Sequence, residues 1–444
     1  MAEAVHSFPK SFLWGTATAG YQVEGNSTNT DYWAWEQQPG AVLHGQRSGR
    51  ACDWWEGRRW QEDFDRAAAD GHTALRLSVE WSRVEPAAAR WDEDALDHYR
   101  QMVKGLRERG LTPMVTLHHF ANPAWAAERR VWETGEAAAL FERYARKVAG
   151  ALGDFVPYWC TINEPNVVMF RGWAEGVLPP RKKDLGLAWR VAENLLRAHA
   201  AAYHALHDAR PGALVGLPIH FRPTLPAHPG FGLDEWAATT QFNLFSALFS
   251  DAIRTGRMRR VLGWPVSVPE AKGTQDFVAI QYYTADVVRF DLTNPGEVFG
   301  RRSFPTGAEV DDEKVYASYS PGLFTALKWA RRFHLPIFIT ENGIGDAADA
   351  LRRRYLITHL RELWKAVNYC WDVRGYFHWS LLDNFEWERG WSHRFGLYAL
   401  DTETQVRTAR PSAQLYSEIA RTGSLSSDMV ARYAPELLAD MFPG

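Results

Sequence analysis

IFITENGIGDAADALRRRYLITHLRELWKAVNYCWDVRGYFHW, residues 337–379, holds a complete strand–helix–strand unit. The runs 337–340 and 375–379 are apolar and too short for helices. Between them, Leu356, Leu360, Leu363 and Val367 recur at helical spacing, which predicts an amphipathic helix over 352–368. Working outward, the same kind of run appears at 12–17, 74–78, 114–117, 158–162, 214–219 and 277–280, making eight. Several show no polar alternation, as expected for parallel strands covered on both faces. Amphipathic stretches fill most gaps, most clearly at 59–70, 94–109, 135–152, 185–207 and 321–333. Eightfold strand–helix alternation reads as an α/β chain closing into a single (β/α)8 barrel, the TIM-barrel architecture. Segments 221–232 and 291–312 read as long βα loops, and 411–444 as closing helices. No Pro/Gly/Ser-rich linker divides the chain, so residues 1–444 are expected to form one domain.

Barrel enzymes carry their chemistry where the strands end. Those positions hold Gln22 and Glu24 after strand one, Arg76 on strand two and His118–His119 after strand three. Strand four ends in Asn163–Glu164, strand six in Tyr282–Tyr283, and strand seven in Glu341–Asn342. Strand eight supplies His378–Trp379, followed by Asp383, Glu386 and Trp387. Polar and aromatic side chains therefore converge on one rim.

Composition narrows the function classes. The 444 residues carry a formal net charge of −3 without blocks of like charge, which argues against nucleic acid as a partner. No apolar run is long enough to span a bilayer, so no membrane partner is expected. The opening MAEAVHSFPK lacks the charged start and apolar centre of a secretory leader. Three scattered cysteines, Cys52, Cys160 and Cys370, fit reduced thiols better than a disulfide framework, and a cytoplasmic location follows as the expectation. The 21 tryptophans suit sugar stacking as well as packing, and roughly one in five is expected to face a ligand.

Two carboxylates leave apolar strands at that rim, in WCTINEP and IFITENG. Glycoside hydrolysis needs such a pair: one protonates the leaving oxygen, and the other attacks or activates water. The bland alternative, structural ion pairs, weakens when two glutamates are framed alike. Other chemistries fit poorly. A dinucleotide turn needs glycines straight after the strand, whereas Glu341 and Asn342 intervene before Gly343. The sequence contains neither HExxH nor GxSxG, so metal and serine hydrolases find no support; neither a metal nor an organic cofactor is expected. A non-catalytic sugar-binding barrel is the remaining alternative.

TINEPN around Glu164 and ITENG around Glu341 resemble the acid/base and nucleophile motifs of the family 1 glycoside hydrolases. The resemblance runs from FLWGTATAGYQVEG (12–25) through LRLSVEWSRVEP (75–86) to HWSLLDNFEWERGWSHRFGLYALD (378–401). It implies a retaining β-glycosidase, foremost a β-glucosidase, acting on terminal glucosyl and also galactosyl or fucosyl residues of small β-glycosides or oligosaccharides. Glu164 would be the acid/base and Glu341 the nucleophile, with Arg76 and Tyr283 as the nucleophile's partners. Gln22, His119, Asn163, Glu386 and Trp387 would bind sugar hydroxyls over a Trp379 platform, and Trp391, Phe395 and Trp173 would line the aglycone side. A retaining pair implies carboxyls about 5–5.5 Å apart.

Three departures stand against the family pattern. Gln281 occupies a position usually held by Asn, which leaves its contact open. HHFANP replaces HWDLP, and the distance to Pro123 assigns the sugar contact to His119 rather than His118. Asn26 follows VEG where a small residue is usual. The family's phospho-glycosidases carry Ser where this chain has Glu386, so unphosphorylated sugars are the expected substrates. Arg389, two places beyond Trp387, is expected to face solvent or a loop.

Overall fold

The structure, a computed structural model, describes residues 4–260 and 264–443. The first three residues of the opening decapeptide and Gly444 lie outside the described residues. The central sheet contains β1 (Leu13–Ala17), β2 (Ala74–Ser78), β3 (Thr112–His118), β4 (Tyr158–Ile162), β5 (Leu214–Gly216), β6 (Pro218–His220), β7 (Val278–Tyr282), β8 (Ile337–Asn342) and β9 (Val373–Trp379). Its order is β5-β4-β3-β2-β1-β9-β8-β7-β6, with all neighbours parallel. The run expected over 214–219 is split at Leu217. Pro218 has no N–H with which to continue the ladder. Its first half pairs with β4 and its second with β7, so the order begins and ends on one segment and the (β/α)8 barrel closes.

The core forms two layers. Inside the barrel, Ala17, Ala74, Met114, Phe277, Phe338 and Phe377 pack together. The larger cluster between strands and helices contains Ile337, Ile339, Leu356, Leu360 and Leu363. A Cβ on Gly15 would fall 2.7 Å from the Ala74 carbonyl oxygen and 2.8 Å from the Phe377 ring, so glycine is what allows that ring to fill the interior. Burying each such phenylalanine contributes about 1.5–3 kcal/mol.

Helices Trp60–Ala69, Glu93–Glu108, Ala137–Leu152, Leu185–Ala209, Pro321–Ala330 and Ala350–Asn368 surround the barrel near their expected positions. Asp92 and Asp184 cap two of them, accepting from the amides of Ala95 and Leu187. The two expected long loops are more ordered than a plain loop reading allows. Thr224–Pro226 and Gly300–Ser303 flank Asp286–Phe290 in a three-stranded sheet, an arrangement that three short strands do not announce by periodicity. The segment 411–444 is not wholly helical either: Ser424–Ser426 pairs with Val5–Ser7 and ties the two chain ends together. Among the described residues, no helix is long and apolar enough to cross a membrane.

One irregularity matters for the site. In β8, Phe338 points into the barrel, while Ile337 and Ile339 point outward. Strict alternation would send residue 340 inward and 341 outward. The register against β7 instead steps from Ile280↔Ile339 to Gln281↔Glu341, leaving Thr340 as the extra residue. The pairing with β9 slips over the same residues. This bulge re-aims Glu341 into the barrel mouth.

Candidate active site

A cavity of about 370 Å³ opens where the strands end, within the range of small-molecule clefts. Glu164 and Glu341 both line it. Their surroundings differ. Glu341 accepts from the Arg76 guanidinium, from Gln281 Nε2 and, at 2.5 Å, from the Tyr283 hydroxyl. Arg76 is fully buried and is oriented by Thr116 Oγ1 (3.1 Å) and Asn163 Oδ1 (2.6 Å). Burial lifts the Glu341 carboxyl to about 7, with Arg76 opposing the lift and the Glu164 charge adding to it. Burial and the charge of Glu341 hold the Tyr283 phenol well above its ordinary value, so it remains a donor.

Glu164 begins the short helix Pro165–Met169 in a left-handed conformation, φ 44°, which is rare outside glycine and concentrates at functional sites. Its backbone N–H reaches the Pro218 carbonyl at 2.9 Å, and its carboxylate lies 2.9 Å from His220 Nδ1. Both side chains are almost fully buried. One carboxylate thus faces a cation and two neutral donors, and the other a single imidazole.

The remaining expected residues surround the inner end. Trp379 donates to Glu386 Oε1 at 2.9 Å and lies nearly parallel to His119, ring centres 6.0 Å apart. Asn163 Oδ1 accepts from both Arg76 and Gln281, which turns its amide nitrogen toward His119 Nε2 at 3.3 Å. Burial drives His119 far below its ordinary value, so the ring is neutral. Burial also raises Glu386 to about 8, against the pull of the Trp379 N–H. Trp387 and Phe395 line the same cavity.

Gln22 stands one layer back. It donates to Asn384 Oδ1 and the Phe385 carbonyl, and its own Oε1, like His119 Nδ1, has no protein partner. Such buried unpaired polar atoms invite an incoming hydroxyl.

Several expectations fail on the aglycone side. Trp173 is buried with its N–H on Glu133, and Trp391 donates to the Arg47 carbonyl; neither lines the cavity. Only two of the 21 tryptophans, Trp379 and Trp387, face it, fewer than expected, because most indoles fill the core. Arg389 is partly exposed and approaches Glu313 of a loop at 3.9 Å, as expected, and it also lines the cavity, which was not expected.

His220, Tyr316 and His393 were not anticipated, the last paired with Asp311 at 2.8 Å. For His220 a signal existed, because it closes the fifth strand, the one strand whose end was not read. Gln281, left open above, bridges Asn163 and Glu341. Among the described residues, no group of three His, Cys, Asp or Glu side chains could hold a metal ion.

Known proteins resemble this chain over nearly its whole length. The solved β-glycosidase from Pyrococcus horikoshii superposes with a TM-score of 0.90 at 38% identity, covering 97% of this chain and 98% of that one. "Beta-glucosidase A" of Thermotoga maritima is 32% identical over 95% of this chain and 99% of its own length. "Beta-galactosidase" of Saccharolobus solfataricus is 31% identical over 96% and 97%. Residues 4–424 match the family description "Glycosyl hydrolase family 1". With a parallel barrel, two inward carboxylates at its mouth and relatives that span its length, the chain belongs to glycosyl hydrolase family 1.

Proposed function

We propose that the protein is a retaining β-glycosidase that removes terminal nonreducing β-D-glucosyl residues, and also galactosyl or fucosyl ones, from small glycosides or oligosaccharides. The observation that carries this reading is the unequal setting of the two carboxylates. Glu341, clasped by Arg76, Gln281 and Tyr283, is the nucleophile. Glu164, against one imidazole, is the acid/base.

The sugar enters over Trp379, with His119, Asn163, Glu386, Trp387 and the set-back Gln22 accommodating its hydroxyls. Glu164 protonates the glycosidic oxygen as Glu341 attacks the anomeric carbon, and the aglycone departs as an alcohol. The covalent glycosyl-enzyme has inverted configuration. Glu164, having given up its proton, takes one from water, whose oxygen attacks the same carbon from the opposite face and restores the β-configuration. Protein carboxylates carry every step. The free cysteines, Cys52 and Cys160 buried and Cys370 exposed, support a reducing, cytoplasmic setting. The rival reading, a non-catalytic sugar-binding barrel, has both glutamates facing the cavity against it.

NMR of the first product from p-nitrophenyl β-D-glucoside tests the mechanism. The β-anomer is expected first, and initial α-anomer overturns it. Kinetics on aryl β-glucosides, galactosides and fucosides rank the sugars.

A further inference from the structure

The cavity changes character along its length. Glu164, Glu341 and Glu386 stand at the inner end, where the buried cation Arg76 is committed to Glu341. At the mouth, where the sequence suggested tryptophans, four arginines line the wall: Arg171, Arg222, Arg302 and Arg389. They come from four separate segments, namely the turn Phe170–Ala174, the stretch after β6, the strand Gly300–Ser303 and the turn Trp387–Arg389. We propose that this mouth is an oxyanion-binding aglycone site, and that the protein favours β-glucosides whose aglycone carries a carboxylate, sulfate or phosphate group. The inference rests on the glycosidase reading above and adds the class of aglycone.

The arginines are anchored by acids, yet each keeps N–H groups unused. Arg171 Nη2 donates to Glu388 at 2.6 Å, Arg222 Nη2 to Asp286 at 2.8 Å, and Arg302 Nε to Glu297 at 3.1 Å. Arg389 makes no side-chain hydrogen bond among the described residues; Glu388 and Glu313 stand 3.8 and 3.9 Å away. A guanidinium has five donors, so one or two bonds leave a fork available.

Free donors decide the preference. Each guanidinium is offset by an acid within 4 Å, Arg171 by Glu388 and Glu175, Arg222 by Asp286, Arg302 by Glu297 and Arg389 by Glu388 and Glu313, so the mouth offers an anion unused N–H groups rather than net positive charge. Planar forks of this kind match an oxyanion in a bidentate manner. Phe170, Phe245 and Leu178 supply an apolar wall for the ring that carries the group.

The test compares 3-carboxyphenyl β-D-glucoside with its 3-carbamoyl analogue. The carboxamide is the better leaving group, so bond-breaking alone favours the neutral substrate. With these side chains about a third exposed, the carboxylate should still raise kcat/KM by roughly five- to tenfold at low salt, mostly through KM. The advantage should shrink in 0.5 M NaCl. A second arm sets β-glucosyl-(1→4)-glucuronic acid against cellobiose and distinguishes an acidic sugar from a phenolic acid; a preference in either arm supports the site and identifies the source. In the Arg302→Gln/Arg389→Gln variant the ratio should fall toward one, and a ratio taken within one preparation cancels any loss of folded protein. Equal rates on charged and neutral partners in both arms, or a preference untouched by the double variant, overturn the inference and leave the arginines as loop ion pairs. Failure to cleave p-nitrophenyl β-D-glucoside as well would instead overturn the glycosidase reading beneath it.

Discussion

The inner and outer ends of one cavity are built by different rules. At the inner end, Arg76, Asn163, Tyr283, Glu341 and Trp379 sit on barrel strands or within one residue of them. Parallel pairing fixes where each backbone atom lies, so a side chain's direction follows from its place in the register. At the mouth, Arg222, Tyr316 and His393 come from loops, Arg171 and Arg389 from short helical turns and Arg302 from an outer strand, all segments whose paths depend on what they pack against. The inner end is accordingly a dense network around a catalytic pair, and the mouth is a ring of ion pairs that can be retuned without disturbing it. If the division is sound, inner substitutions should destroy chemistry and outer ones should change only selectivity.

The sharpest way to break the comparison is Glu341→Gly. Removing a nucleophile costs on the order of 10⁵–10⁶ in kcat. The variant should retain a normal circular dichroism spectrum and, given an α-glucosyl fluoride, should join sugars, because the fluoride stands in for the covalent intermediate. Near-normal hydrolysis by verified mutant protein would strip Glu341 of its role.

Glu164→Ala should cost less, and unevenly. General-acid assistance contributes about 10²–10⁴. Basic leaving groups need it and activated phenols do not. Kinetics across a series of aryl glucosides should therefore show a steep dependence on leaving-group basicity that the parent protein lacks. A uniform loss over the series would mean that Glu164 is not the proton donor.

This division also explains what the sequence could reveal. The runs 74–78 and 158–162 coincide with the observed strands, because burial on both faces leaves an apolar signature. Glu164 and Glu341 stood out for the same reason, as charges closing such runs. The bulge at Thr340 that turns Glu341 inward leaves no mark, since it arises from pairing with β7 and β9. Trp173 and Trp391 misled because an indole suits both packing and stacking, and its N–H partners, Glu133 and the Arg47 carbonyl, are remote in the chain. The arginine mouth was illegible because its members lie up to 218 positions apart, from 171 to 389, on segments without periodicity.

A third prediction probes the boundary between the ends, where Glu386 of the inner end and Arg389 of the mouth share one turn. An ionised Glu386 repels a phosphate on the sugar's 6-position. At 4 Å and an effective dielectric near 20, that repulsion is on the order of 4 kcal/mol, several hundredfold in affinity. Burial raises Glu386 to about 8, so below that pH the carboxyl is largely neutral and the repulsion incomplete. Discrimination between p-nitrophenyl β-D-glucoside and its 6-phosphate should hence widen as pH rises from 7 to 9. A faster phosphorylated substrate would show Arg389 serving the inner end and erase the boundary.

The smallest expected effect comes from Tyr283→Phe, which removes one oxygen from the inner network and leaves the ring that stacks on Tyr316. Glu341 must be ionised to attack, so kcat/KM falls as pH drops through its pKa, raised to about 7 by burial. The Tyr283 hydroxyl donates to the ionised form and therefore holds that value down. Without it the pKa rises further and the acidic limb of the profile moves to higher pH. A hydrogen bond to a charged group contributes about 1.5–3 kcal/mol, and one pKa unit corresponds to about 1.4 kcal/mol, so at the lower end of that range the limb should move by roughly one unit. At pH 6 the loss in kcat/KM should be about tenfold more severe than at pH 9, where the carboxylate is ionised with or without the phenol. A loss that is the same at every pH would assign Tyr283 to binding rather than to the charge state of Glu341. It would also show that the inner network tolerates losing a donor, which is the property the comparison reserves for the mouth.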